Sequence, residues 1–175
     1  MIKRIFTTRF IFILTLIFAA AIMRLIPHWP NFTPVAALAL FGGTYINRKY
    51  LAFLVPLAAL FLGDIVLGLH EYMVPVYACF ILTVLLGFAI KRKTTVLTVI
   101  SASIASSLIF FLVTNFASWI QSPLIYDQTF SGLMTCYIAG IPFLNNGISG
   151  DLFYSGVLFG SFYFAVSRIP ALQRA

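Results

Sequence analysis

Residues 50–69 of the chain read YLAFLVPLAALFLGDIVLGL, a run of twenty residues in which Asp64 is the one charged side chain. A run of about 20 mainly apolar residues has the length that an α-helix needs to cross the hydrocarbon core of a bilayer. The run therefore predicts a transmembrane helix. An ionised side chain at that depth costs roughly 2.5–3.5 kcal/mol even on lenient insertion scales, so we expect Asp64 to face a partner or a polar cavity.

The rest of the chain has the same apolar character. Of its 175 residues, 62% are hydrophobic and 9% are charged, whereas soluble domains are about 45–50% apolar. No linker or low-complexity tract divides the sequence, so residues 1–175 are expected to form a single integral membrane domain. We predict an all-α membrane protein, a bundle of about six transmembrane helices over residues 10–23, 35–46, 50–69, 72–90, 96–116 and 149–167.

Local patterns in three of these segments allow alternatives. Residues 10–23 follow a basic N-terminus and contain three consecutive alanines, which resembles a signal peptide. Because further spans follow, we expect this segment to be retained as the first helix. Small residues recur four apart in residues 101–107, and Gly156 and Gly160 form a GxxxG pair. Both patterns favour close helix packing, either within the chain or against another membrane protein.

The basic residues and a short apolar stretch, residues 132–144, set the expected topology. If this stretch crosses the membrane, Arg168 and Arg174 fall on the side opposite the other basic residues. If it is a short half-inserted helical segment before the last span, all basic clusters share one side, and this arrangement agrees better with the cytoplasmic preference of Lys and Arg. We therefore expect a multi-pass membrane protein with both termini in the cytoplasm. The clusters are Lys3, Arg4 and Arg9; Arg48 and Lys49; Lys91, Arg92 and Lys93; and Arg168 and Arg174.

Polar side chains in or beside the apolar runs are the candidate ligand-binding residues. In the expected topology most of them lie at the outer helix ends or in the proline-rich turn of residues 27–34. An apolar chamber with a few convergent polar groups is typical of a small-molecule site. The candidates are Arg24, His28, Asn31, Asp64, His70, Asn115, Trp119, Asn145, Asn146 and Asp151.

Several candidates also have a simpler structural interpretation. Asp64 can pair with a cation or hydroxyl of a neighbouring helix, and Arg24 is the first candidate for that pairing. Asp151 can stabilise a helix N-terminus through the helix dipole. Trp119 fits an aromatic residue at the membrane interface, and His70 fits a solvated loop.

The sequence has no recognised catalytic or cofactor motif. HExxH, GxSxG and P-loop patterns are absent, so we expect a protein that is not an enzyme. The two histidines and the two cysteines form no metal-ligand spacing, so we expect no metal and no cofactor. The net charge of +7 comes from short clusters between apolar runs, which is typical of membrane anchoring and not of a nucleic-acid-binding stripe.

Four strings resemble an uncharacterised bacterial membrane family described only as candidate transport proteins. They are RLIPHWPNFTPVAALALFGG at residues 24–43, DIVLGLH at 64–70, TNFASW at 114–119 and CYIAGIPFLNNGISGD at 136–151. The chain length, the six-span plan and a Pro-Phe-Asn-like turn at residues 142–145 are also similar to the substrate-binding S components of energy-coupling-factor (ECF) transporters.

The S-component resemblance implies a ligand chamber near the outer face and a partner module made of a transmembrane scaffold and two ATPases. The expected function is that of a substrate-binding subunit for small-molecule or micronutrient uptake, embedded in the lipid bilayer of the bacterial inner membrane and without a nucleic-acid partner. A standalone proton-coupled carrier that uses Asp64 or Asp151 is one alternative. A non-transporting membrane scaffold protein is another.

Overall fold

The fold is entirely helical in the part of the chain that the computed structural model describes, residues 7–173. The predicted all-α class is confirmed for these residues. Lys3, Arg4 and Arg174, which entered the topology prediction, lie outside them. A 3₁₀ turn, Met23–Leu25, follows the first helix. The helices are α1 Thr8–Ile22, α2 Val35–Tyr45, α3 Lys49–Leu67, α4 Met73–Ile90, α5 Val96–Gln121, α6 Phe130–Arg168 and α7 Pro170–Gln173.

Four helical segments are long and apolar enough to cross a membrane: Thr8–Leu25, α3, α4 and α5. Their length and hydropathy support a helical membrane protein. The shorter α2 and the more polar α6 fall outside this set. The helices therefore give four candidate spans, and the predicted six are not established.

Helix α2 is short and forms the core of the bundle. Each residue from Val35 to Thr44 is buried, and α2 packs against α1, α3, α4, α5 and α6. A helix that is apolar on all sides is buried on all sides, and an apolar run of 10–14 residues is typical of a core helix that does not span. The other helices therefore enclose α2.

Glycines allow α2 to approach its neighbours closely. A Cβ atom on Gly87 of α4 would lie 2.6 Å from the Leu40 carbonyl oxygen and 2.8 Å from the Gly43 Cα. On the other side, a Cβ on Gly42 would lie 2.6 Å from Cγ of Pro56 in α3. Small residues at such crossings bring helix backbones together in lipid, so these positions fix the spacing of the α2–α3–α4 layer.

The half-inserted segment predicted at residues 132–144 does not exist as a separate element. These residues are the first part of α6, which runs without interruption for 39 residues, about 58 Å at 1.5 Å per residue. Pro142 lies inside this helix, so the predicted turn at 142–145 is also wrong. The glycine-rich stretch serves packing, because a Cβ on Gly150 would lie 3.0 Å from the Phe32 Cα.

The two small-residue patterns have different outcomes. Residues Ala102, Ser103, Ser106 and Ser107 of α5 are buried, and the Ser103 hydroxyl donates to the Ser155 Oγ of α6 at 2.9 Å. Packing within the chain is therefore confirmed for these four residues. The GxxxG pair is exposed, and nothing lies within 4 Å of a Cβ added at either glycine.

The basic clusters of the described residues lie together at one end of the bundle. The Arg9 guanidinium lies 5.4 Å from the ring centroid of Phe162 in α6, and the Lys91 Nζ donates to the Asn47 Oδ1 at 3.2 Å. Partial burial of its ammonium group, and then the charge of Arg9, lower the pKa of Lys91. The start of α1, the α2–α3 loop, the end of α4 and the last turns of α6 therefore meet here, at what we call the basic end.

Candidate ligand-binding cavity

A two-part cavity lies between α4, α5 and α6, towards the end opposite the basic end. Its outer chamber has a volume of about 510 Å³ and reaches the α3–α4 loop at His70. Its inner recess has a volume of about 60 Å³ and reaches Asp151 of α6. The two parts adjoin each other, because five residues line both: Asn31, Phe110, Thr114, Asn115 and Phe143.

The recess lies where α6 departs from α5. Gly140 of α6 packs on Asn115 and Phe111 of α5, and Asp151 packs on Ser107. Between these contacts α6 advances eleven residues, while α5 advances four to eight. The recess lies beside these contacts and is also lined by Ala36 of α2 and Phe80 of α4.

Asp151 supplies the one ionisable side chain that lines the recess. Its side chain is buried, with 7% exposure, and the Ser107 hydroxyl donates to its Oδ2 at 2.6 Å. Its Oδ1 has no hydrogen-bond or ion-pair partner among residues 7–173. No arginine, lysine or histidine of this part of the chain lines the recess.

Four phenylalanines line the recess. Phe80 of α4 and Phe110 of α5 lie with ring centroids 6.1 Å apart, and Phe111 and Phe143 complete the aromatic lining. The arrangement combines an apolar body with a few convergent polar groups, which is typical of small-molecule sites.

Asn115 is placed at the boundary between the chamber and the recess. Its Nδ2 donates to the Phe111 carbonyl oxygen at 2.8 Å, which holds the amide against its own helix. Its Oδ1 has no protein donor within the described chain. A Cβ on Gly140 would collide with this amide and would lie 2.9 Å from Cε2 of Phe111. Glycine at position 140 therefore leaves room for the Asn115 side chain.

The loop before α2 closes one side of the cavity. Asn31 adopts a positive φ of 63°, a conformation that asparagine accepts more readily than most residues. The Asn146 Nδ2 donates to the Pro30 carbonyl oxygen at 3.0 Å, and Gly150 packs on Phe32. Asn146 does not line the cavity itself, but it holds in place the loop that carries the lining residue Asn31.

Arg24 and Asp64 form an ion pair that does not line the cavity. The Arg24 Nη2 lies 2.6 Å from the Asp64 Oδ1, and its Nη1 donates to the Leu60 carbonyl oxygen at 3.2 Å. The Tyr77 hydroxyl donates to the other carboxylate oxygen at 2.7 Å. The predicted pairing of Asp64 with a helix cation is confirmed, and its oxygens are occupied by protein groups.

The remaining candidates are spread over the same end of the molecule. The exposed His28 Nδ1 lies 2.6 Å from the Ile26 carbonyl oxygen. The Trp119 Nε1 donates to the Asp127 carbonyl oxygen at 2.8 Å and so attaches the α5–α6 loop to α5. Asn145 is exposed on α6. Of the ten candidates, four line the cavity: Asn31, His70, Asn115 and Asp151.

The polar residues of the lining that sequence reasoning missed include Ser107 and Thr114 of α5. Both share a face of α5 with Asn115, since Ser107, Phe111 and Asn115 follow one another at intervals of four. Residues three and four apart lie on the same side of a helix. Extending this spacing back from Asn115 would have found Ser107.

A family model described as a family of unknown function, DUF6580, matches residues 4–172. The chain belongs to this family. The match extends from α1 into α7, so the whole cavity lies within the DUF6580 region, and the resemblance to an uncharacterised family is confirmed. No curated protein and no solved structure matches the chain.

Proposed function

We propose that this DUF6580 protein is a substrate-binding subunit for the uptake of small molecules, similar in role to the S components of ECF transporters. The observation that carries the proposal is the two-part cavity between α4, α5 and α6. It combines a chamber of about 510 Å³ with a recess that ends at a buried carboxylate. Polar groups at membrane depth commonly mark a substrate path, and this role is binding and not catalysis.

The proposed topology places the cavity towards the outside of the cell. We infer that α1 to α6 are all embedded in the bacterial inner membrane, with α2 enclosed by the others. Because Lys and Arg concentrate on the cytoplasmic side, the basic end would face the cytoplasm together with both termini. The chamber mouth near His70 would then face the periplasm.

The proposed energy source is a separate module with a transmembrane scaffold and two ATPases. The 175 residues contain no P-loop, so ATP hydrolysis would have to come from partner chains. The exposed Gly156 and Gly160 give α6 a face that another helix can approach closely. This face is the proposed contact with the scaffold.

The first test is to identify small molecules that the purified protein retains. The protein in lipid nanodiscs would be denatured and its released ligands measured by mass spectrometry. Ala139 lines the chamber, so Ala139→Trp should fill part of it and reduce the retained ligand at least tenfold. Ile138→Trp is the matched control, because the neighbouring Ile138 is 67% exposed and does not line the cavity. Equal retention by both folded variants would reject the cavity as the binding site.

A proton-coupled secondary carrier is the second candidate function. It is favoured by the buried Asp151, which lines the recess without a protein cation, whereas Asp64 is paired with Arg24. A carboxyl group in this position can exchange a proton with the cavity. Proteoliposomes that contain this chain alone distinguish the two candidates. Uptake of the identified ligand that requires an imposed proton gradient, and fails in Asp151→Asn, would favour the carrier.

The scaffold hypothesis receives less support from the structure. A protein that only holds others together needs no internal cavity, and a tightly packed interior would have favoured it. The chamber and recess instead leave polar atoms such as the Asn115 Oδ1 without protein donors in the described chain.

A further inference from the structure

We propose that the inner recess selects ligands that carry a protonated amine, with Asp151 as the group that binds the ammonium. This inference rests on the proposed function and adds the chemical class of the ligand. It starts from the charge of the cavity. The carboxyl group of Asp151 is buried at the end of the recess, while the lining contains no cation from residues 7–173.

The second step concerns the two oxygens of Asp151. The Ser107 hydroxyl donates to Oδ2 at 2.6 Å, which fixes the orientation of the carboxylate. Oδ1 has no donor or cation from the described chain. A buried charge is costly unless a partner neutralises it, and a ligand ammonium would supply both the opposite charge and the missing N–H donor. Such a charge-assisted hydrogen bond is about twice as strong as a neutral one.

The third step concerns the aromatic walls. Phe80, Phe110 and Phe111 line the same recess as Asp151. The face of an aromatic ring attracts a cation, and the attraction increases when water is excluded. An anionic ligand is disfavoured, because it would be repelled both by the ring faces and by the carboxylate. The lining therefore selects for positive charge.

The volume of the recess and the small number of side chains that could coordinate a metal ion both favour an organic amine over a bare metal ion. The recess of about 60 Å³ is larger than the roughly 10–15 Å³ that one water molecule needs, so it has room for a small group of several atoms. The chamber of about 510 Å³ leaves space for the rest of the ligand. Hard cations such as Ca²⁺ take six or more oxygen ligands, and residues 7–173 contain no cluster of three or more metal-binding side chains.

The test compares three phenyl-bearing probes of similar size and different charge. Phenethylamine, 2-phenylethanol and phenylacetate would be titrated into the purified protein in nanodiscs by calorimetry, followed by NaCl alone. We expect the amine to bind at least tenfold more tightly than the alcohol, and phenylacetate not to bind. Asp151→Asn should weaken the amine about 10- to 100-fold, the range of one hydrogen bond to a charged group, and leave the alcohol unchanged.

Two further variants test whether a change in amine affinity comes from the recess itself or from a general effect of the substitution on charge or folding. Asp127→Asn removes the same charge from an exposed loop residue that does not line the cavity, so the affinity for the amine should stay at the wild-type value. Phe111→Leu keeps the carboxylate and removes one ring, so it should weaken the amine about threefold or more and the alcohol less.

Each outcome is informative. Binding of the alcohol or of phenylacetate at least as tight as that of the amine would overturn the amine class and leave the proposed binding function standing. An amine affinity that is unchanged in Asp151→Asn would overturn the role of this carboxylate. Heat from NaCl alone that disappears in Asp151→Asn would assign the recess to an inorganic cation. Failure of all three probes to bind, together with no retained ligand in the mass spectra, would reject the proposed function itself.

Discussion

At the scale of single residues, the ion pair of Arg24 and Asp64 shows how a membrane protein accommodates a charge at depth. The side chain of Asp64 is fully buried and that of Arg24 is 16% exposed. Each carboxylate oxygen has a protein partner, the guanidinium at one and the Tyr77 hydroxyl at the other. The pair ties the 3₁₀ turn after α1 to α3 and α4, so its role is structural.

We expect Asp64→Asn to destabilise the protein strongly. Removing one partner of a buried ion pair leaves the other charge uncompensated, which costs about 3–5 kcal/mol. Tyr77→Phe keeps the pair and loses one hydrogen bond to a charged group, so it should cost about 1.5–3 kcal/mol. Unfolding free energies in a mild detergent would give both values, with the exposed Glu71→Gln as the control. A loss of unfolding free energy in Asp64→Asn that is smaller than the loss in Tyr77→Phe would contradict the prediction.

At the scale of helices, the crossing of α2 and α4 depends on the absence of side chains. The Leu40 carbonyl oxygen and the Gly43 Cα leave no space for a methyl group on Gly87. The Thr44 hydroxyl adds a polar contact, since it lies 2.8 Å from the Leu40 carbonyl oxygen and 3.3 Å from that of Gly87. Backbone atoms cannot move aside as a flexible side chain can.

We therefore expect Gly87→Ala to destabilise the bundle by roughly 1–3 kcal/mol, the usual cost of overpacking. Gly156→Ala is the matched control on α6, where a Cβ meets nothing within 4 Å. There the better helix propensity of alanine should leave stability equal or raise it by up to about 1 kcal/mol. Thermal unfolding of the two variants would measure the difference, and equal melting temperatures would contradict a tight α2–α4 crossing.

The helices also differ in how well the sequence predicts them. The helices α3, α4 and α5 were found because each is a long apolar run with polar ends. The first half of α6 was not, since Pro142, Gly147 and Gly150 resemble the residues of a turn. Their role depends on contacts distant in sequence, as when Gly150 packs on Phe32, and local patterns do not contain such contacts. Asn115 and Asp151 were identified as site residues because polar side chains of their kind are rare in apolar runs, whereas Ser107 belongs to the small-residue pattern of residues 101–107, which was interpreted as a packing face.

At the scale of the whole molecule, the cavity and the basic clusters of the described residues lie towards opposite ends. Lys91 and Arg9 lie at one end, while His70 and Asn31 line the cavity towards the other. This asymmetry agrees with the enrichment of Lys and Arg in cytoplasmic loops. It supports the proposed orientation with the cavity open to the periplasm.

We expect labelling of introduced cysteines to follow this orientation. In cells with a permeabilised outer membrane, an impermeant maleimide should label Glu71→Cys at once and Arg92→Cys only after lysis. Both positions are exposed, whereas the native Cys79 and Cys136 are buried, so the wild-type chain gives the background. The reverse pattern of labelling would place the basic end in the periplasm and contradict the proposed topology.

The enclosed position of α2 also has a consequence for biogenesis. Its 11 residues are fewer than the roughly 20 that a translocon retains as an independent span. Its crossing partner α4 begins at Met73 and is synthesised later, so α2 leaves the ribosome before its closest packing surface is available. Stable integration of α2 would then wait for the downstream helices, and the first half of the protein would enter the bilayer only as a loosely held intermediate.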